Sequence, residues 1–264
     1  MNKFLQRYNT YVILGFVLLP VFLWIVSYLI NFFAPANLNF PSPSVIGKTF
    51  IELLSNSTAL TALLQTFKQI FLSVFLSLVG GILFGFMLGF NKKVWALSQP
   101  TVDFFRSVPV TFLIPGVSLL IGSTSTQIIF ILATYPSFLI MLLHIRYGIA
   151  KQEQERILSY HIISGSSSKL KRFFNVTFYE ILPDIASGFR VSLSYCIVIV
   201  TVLEYMHLGS KQGIGGLIND ELQNLHYPQV YALTFMIGLV GFLLNKIVEF
   251  LQNHFIHWSL NREV

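Results

Sequence analysis

Apolar residues fall along this chain in six long blocks separated by short polar runs. The blocks run from about Tyr11 to Phe33, Leu63 to Phe90, Val102 to Ile121, Gln127 to Tyr147, Ile185 to Tyr205 and Val230 to Leu251. Each approaches or exceeds the roughly 20 apolar residues that a helix needs to cross a bilayer. The pattern predicts an all-α integral membrane protein, one domain over residues 1–264 with six transmembrane helices. The third block is the weakest, because Asp103, Arg106, Pro109 and Pro115 interrupt it. Proline removes a backbone donor and kinks a helix. Such a break survives at membrane depth only where protein or a wet cavity covers the freed groups.

The first block has features of a signal peptide, with Lys3 and Arg7 before it and Ala34-Pro35-Ala36 after it. It is longer than the about 7–15 residues of a signal h-region, and its proline makes a poor cleavage site. It is read as a retained span.

Composition agrees with a lipid solvent. The 264 residues are 54% hydrophobic and only 11% charged, against about a quarter charged in a soluble domain. The formal net charge is +6, and its placement explains it. If the spans alternate, Lys3, Arg7, Lys92, Lys93, Arg146, Lys151, Arg156, Lys169, Lys171, Arg172, Lys246 and Arg262 share one side. The other side holds Lys48 and Lys211, with Lys68 near it. The positive-inside rule then puts both termini in the cytoplasm. The basic excess is a topological signal and excludes nucleic acid as the partner.

One connection is long, residues 148–182, and lies on the basic side. Ile157, Leu158, Ile162 and Ile163 share one helical face. Gly165 is placed to end that helix, and Ser166, Ser167 and Ser168 offer N-caps for a second. The second carries Leu170, Phe173 and Phe174 opposite Lys169, Lys171 and Arg172, and Pro183 closes the loop before the fifth span. Two readings stand: a segment lying on anionic lipid, or a docking element whose apolar side chains fill a groove on a cytoplasmic partner.

Within the spans, Ser73, Ser77, Gly81, Gly85 and Gly89 recur every fourth residue, and Gly188, Ser192 and Cys196 form a shorter stripe. Small residues at this spacing let helices approach closely. The stripes suit packing within one subunit, a seam between two copies, or a gating slide. Asp103 and Arg106, three apart, suit an ion pair or a gate. Glu204, near the outer end of the fifth span, suits a channel lining or a side chain reaching for water. Cys196 is the only cysteine, and no metal site is predicted. The sequence has no G-x-x-x-x-G-K-[ST] phosphate loop, no Ser-His-Asp grouping and no H-E-x-x-H. It predicts a transport subunit without its own ATPase site. An ion-gradient-driven secondary transporter is the alternative; it would favour central buried acids and internal repeats.

The stretch from Gly165 through Leu182-Pro183 to Gly188 resembles the cytoplasmic loop of ABC importer permeases, in which Glu-Ala-Ala, three residues and Gly precede a Leu-Pro and a further Gly. Ser159, Tyr160 and His161 occupy the Glu-Ala-Ala positions, and none matches. Pro41-Ser42-Pro43-Ser44-Val45, Phe105-Arg106-Ser107-Val108-Pro109 with Ile114-Pro115, Glu204 with Gly213-Ile214-Gly215, and the ending with Gly238, Gly241 and Trp258 resemble the nitrate, sulfonate and taurine branch. The likeness covers about residues 11–258.

The resemblance implies a bacterial inner-membrane permease. It implies a second permease copy, two ABC ATPase subunits holding ATP and magnesium, and an external solute-binding protein. The solute would be a small organic anion or vitamin precursor. It also implies that Ser159, Tyr160, His161, Gly165, Leu170, Phe173, Phe174, Pro183 and Gly188 couple to the ATPase, with Pro183 and Gly188 joining lever to span. Asp103, Arg106, Pro109 and Glu204 are the path or gate candidates.

Overall fold

A computed structural model describes residues 40–256 apart from 126, 153, 165–168 and 210–211, together with Trp258 and scattered positions between 18 and 33. The helices are α1 (Pro43–Leu54), α2 (Ser57–Gly89), α3 (Lys92–Ser107), α4 (Val110–Ile121), α5 (Gln127–Ala150), α6 (Gln154–Ser164), α7 (Lys169–Arg172), a π-helical turn (Phe173–Thr177), α8 (Phe178–Tyr205), α9 (Ile214–Gln223) and α10 (Tyr227–Phe255). Among the described residues, four stretches are long and apolar enough to cross a membrane: α2, α5, Phe173–Tyr205 and α10. The first predicted span lies mostly outside the described residues. Those of its positions that are described are helical.

The third predicted span is not one straight helix. The chain bends by 92° between α3 and α4. Val108 precedes Pro109 and is pushed out of the helical region, to φ −79° and ψ 115°. The Ser107 hydroxyl turns back onto the carbonyls of Asp103 and Phe104. The Tyr135 hydroxyl of α5 donates to the carbonyl of Phe105, one of the groups freed where α3 ends. With 12 residues, α4 is about 18 Å long, short of the ~30 Å hydrocarbon core.

The fifth span departs from expectation in the other direction. Pro183 does not close a loop; it lies inside α8, and the helix is continuous from Phe173 to Tyr205, 33 residues. A proline inside a helix forfeits one backbone bond. Here Ile181 and Ile185, both buried on α5, hold the helix on either side of it.

At the centre stands α5, clasped by two rows of small residues. On one side Ser73, Ser77, Gly81, Gly85 and Gly89 of α2 are all buried. Ser73 donates to the Phe130 carbonyl at 3.4 Å, and Thr134 donates to the Ser73 carbonyl. A methyl group on Gly81 would overlap Met141 Cβ, and one on Gly85 would lie 2.8 Å from Ile145 Cβ. On the other side Ser192 of α8 donates to the Ser137 carbonyl at 3.0 Å, and Ser137 Oγ lies 3.0 Å from Cys196 Sγ. A Cβ on Gly188 would lie 2.8 Å from that of His144. Both stripes are filled from within the chain, so neither is a seam between two copies.

Gly81→Val is expected to force α2 off α5, because the atom it meets is a β-carbon that cannot swing aside. Overpacking of this kind costs about 1–3 kcal/mol or more. The expected outcome is a lower unfolding temperature in detergent, whereas Gly238→Ala, inside α10 with open space around it, does not lower that temperature.

Candidate functional site

The basic end of the bundle is an elbow, made of α6, α7 and the π-helical turn, at the start of the long rod, the continuous helix Phe173–Tyr205. Phe173 is half-buried. Its ring meets Phe86 at 5.0 Å and Phe90 at 5.7 Å, the last turns of α2. Phe174, the next residue, is exposed. The two neighbours therefore have different work: Phe173 anchors the elbow to the bundle, and Phe174 faces out. On α6, Leu158, Ile162 and Ile163 are also exposed, the last two at 82% and 85%. Together with Phe174 they place four large apolar side chains on the outside of the elbow. Tyr160 links α6 to the rod, accepting from Asn175 Nδ2 at 3.4 Å. Ser159 is exposed and His161 half-buried on the same helix. Gly165 lies outside the described residues, as does the side chain of Leu170.

Two further ties hold this end together. Gln152 donates to Glu180 at 2.9 Å. The Arg146 guanidinium stacks 4.9 Å over the Trp95 ring of α3, a cation–π contact. Deeper in the rod, Pro183 and Gly188 sit within one unbroken helix, and Gly188 is buried on His144 and Met141. They do not form a joint between lever and span.

Asp103 and Arg106 pair at 3.5 Å on the last turns of α3, with side chains 46% and 61% exposed. An exposed pair of this spacing contributes a few tenths of a kcal/mol. Pro109 stands just beyond, as the N-cap of α4. Arg190 lies 3.9 Å from Glu249 of α10, which Lys246 also contacts at 3.0 Å.

At the opposite end Glu204 is 2% exposed. It neither reaches water nor lines the nearby recess. Its Oε2 accepts from Thr66 Oγ1 of α2 at 2.7 Å and from the Gly215 amide of α9 at 3.2 Å. Thr66 Oγ1 in turn accepts from the Ile214 amide at 2.8 Å. The recess, about 280 Å³, is lined by Thr58, Thr61, Ala62, Gln65 and Gln212. Sequence reasoning missed Thr66. The available signal was spacing: Thr66 stands two helical turns before Ser73, on the same small-residue face.

A family model described as the binding-protein-dependent transport system inner membrane component matches residues 77–258, well over half of the chain. The chain belongs to this family. Its relatives include the bicarbonate transport system permease protein of Synechocystis sp., 27% identical over 47% of this chain and 42% of that protein. They also include a Bacillus subtilis protein whose name describes an aliphatic sulfonates transport permease, 26% identical over 84% of this chain and 79% of that protein. The chain thus spans less than half the length of the first relative. Two structures of the MetNI methionine ABC transporter in inward-facing conformations share the fold at 17% identity. One has a TM-score of 0.60 over 75% of this chain and 94% of that one. The other has 0.54 over 73% and 99%.

The contrast within the elbow is testable. Phe173→Ala removes a ring packed on two others and is expected to destabilise the chain by about 1–3 kcal/mol. Phe174→Ala is expected to leave stability unchanged. Thermal unfolding of both variants in detergent reads the difference.

Proposed function

We propose that this chain is the permease subunit of an ATP-driven importer. Two copies pair around a path for a small solute, two separate ATPase subunits dock on the basic end, and an external binding protein delivers the solute to the opposite end. Both termini and the α6 elbow are cytoplasmic in this reading. The solute is a small anion; bicarbonate and an aliphatic sulfonate are the first candidates, because the two relatives are named for these classes.

The observation that carries the proposal is the exposed ridge of Leu158, Ile162, Ile163 and Phe174 at the basic end. Ile162 and Ile163, four and five residues after Leu158 on one short helix, with Phe174 beyond it in sequence, suit a groove on a partner protein. Family membership supports an ATPase as that partner: a transport system needs a motor, and this sequence lacks a phosphate-binding loop of the usual kind. ATP-driven closure of the motor would carry the two elbows together, and the states must differ in docking energy for the motion to be driven.

Ile162→Asp with Ile163→Asp is expected to weaken ATPase association about tenfold or more, because buried apolar anchors dominate such interfaces. The chain itself should still insert in the membrane. Co-elution of the full chain with its ATPase, and uptake of radiolabelled bicarbonate or ethanesulfonate, are the measurements. Uptake should stop with vanadate and persist with a protonophore. Unchanged co-elution rejects the ridge as the docking surface, and uptake that only the protonophore stops rejects the importer in favour of a gradient-driven carrier.

A further inference from the structure

Glu204 is the one carboxylate of the long rod that lies buried at the far end from the elbow, and its surroundings are unusually specific. Three elements meet on it. From α2, Thr66 is fully buried and donates to Oε2. From α9, the Gly215 amide donates to the same oxygen, and the Ile214 amide donates to Thr66 Oγ1. The carboxylate thus fills the place of a side-chain cap at the start of α9, whose own N-cap, Gly213, has no side chain to offer. A carboxylate there also meets the positive end of the helix dipole.

Packing around it is just as tight. A Cβ on Gly213 would overlap the Glu204 carboxyl, and one on Gly215 would overlap the Thr201 carbonyl. Glycine at both positions is what lets the α9 backbone close on the rod. Further out, Asn219 donates to the Tyr205 carbonyl at 2.8 Å, and His207 lies 3.3 Å from Asp220. The helix α9 is therefore fastened along its length to the top of α8, and the buried carboxylate is the anchor at its first turn.

We propose that Glu204, with Thr66, is a positioning residue that latches α9 to the rod, so that the outer helix and the cytoplasmic elbow move as one piece. This rests on the importer reading for its directions and adds how the outer end is tied in. The rod is an unbroken 33 residues, about 50 Å at 1.5 Å per residue. Phe173 fastens its lower end to α2 through Phe86 and Phe90, and Glu204 fastens its upper end to α2 through Thr66. A partner that displaces α9 from outside displaces the rod, and a motor that displaces the elbow displaces α9.

The latch uses one carboxylate oxygen. Among the described residues Glu204 Oε1 has no partner, so a glutamine in the same place keeps the acceptor that Thr66 and Gly215 need. This separates a latch from a charged ligand or proton carrier, for which the glutamine would be as damaging as alanine.

The test uses the full chain in lipid nanodiscs, as wild type, Glu204→Gln, Glu204→Ala, Thr66→Val and the Glu204→Ala/Thr66→Val double variant. Hydrogen exchange at residues 213–223 is read against residues 127–150. Expected is a rise of about tenfold or more in exchange at 213–223 for Glu204→Ala and Thr66→Val, since each leaves a buried donor or acceptor unpaired. The double variant should add little to either single change. Residues 127–150 should stay at wild-type protection, and Glu204→Gln should return 213–223 to near wild type. Cells carrying the whole transporter should lose uptake of bicarbonate or ethanesulfonate with Glu204→Ala and regain most of it with Glu204→Gln.

Three results would overturn the latch. One is wild-type protection of α9 in Glu204→Ala. Another is a rise in exchange across 127–150 as well, which would make Glu204 a general stability element. The third is protection restored by Glu204→Gln without uptake, which would make the charge itself the working part. If the wild type takes up neither probe, the solute assignment fails while the exchange result still decides the latch.

Discussion

Everything in this molecule leans on the close approach of α5 to its two neighbours. Lipid tails offer no hydrophobic drive to bring one apolar helix onto another. Van der Waals contact must do it, and that requires backbones near enough for many atoms to touch. The Ser73 to Gly89 stripe of α2 and the Gly188 to Cys196 stripe of α8 provide that proximity from opposite sides. The large residues opposite these stripes belong to α5: Met141, Ile145 and Leu142 are almost wholly buried. Helix α5 fills the notches that the other two leave open. The hydroxyls in the stripes then donate to carbonyls of the same backbones, which leaves few buried polar groups unpaired in a solvent that cannot satisfy them.

That arrangement explains why two prolines have opposite effects. Pro109 follows Val108 between two helices that pack in separate clusters, Val102 of α3 with Leu88, Leu139 and Leu142 and Ile114 of α4 with Ile128 and Ile129. The backbone restriction on Val108 wins and the chain turns. Pro183 lies between Ile181 and Ile185, each pressed on α5, and the lost hydrogen bond of about 3 kcal/mol is outweighed by packing above and below. Propensity is a weak prior that tertiary contact overrides.

The same physics marks how much of the molecule was legible in its sequence. Span positions were, because roughly 20 apolar residues in a row have few other uses; α2, α5 and α10 extend their predicted blocks by only a few residues. The bend in the third block was half legible: proline and charge flagged a break, while its 92° angle depends on how α3 and α4 each pack on α5, which no local pattern carries. The division of Phe173 from Phe174 was not legible, because adjacent positions on a helix face different ways and only the end of α2 decides which is inward. Glu204 was flagged as unusual by its depth, yet its partners were not. Thr66 lies 138 residues away in the chain, and no local pattern joins the two.

In the proposed importer these fastenings also limit where the two states can differ. The rod is pinned to α2 through Phe173, to α5 through Gly188, and to α2 and α9 through Glu204. Sliding it along α5 by even part of a turn would drive Met141 and His144 into positions where no notch exists, and packed interiors do not deform continuously. So α2, α5, α8 and α9 form one body. Helix α4 is different: it is short, joined to α3 across a single extended residue and a proline, and Phe112, Leu119 and Leu120 are 77%, 88% and 84% exposed. Opening and closing a path then requires either that two such bodies rock against each other or that α4 swings at the Val108–Pro109 bend. Rocking leaves the α5 packing untouched, which is the condition that lets force travel from the elbow to the opposite end without being absorbed on the way, whereas a swing of α4 must first free Ile114 from the cluster it shares with Ile128, Ile129 and Leu132 of α5.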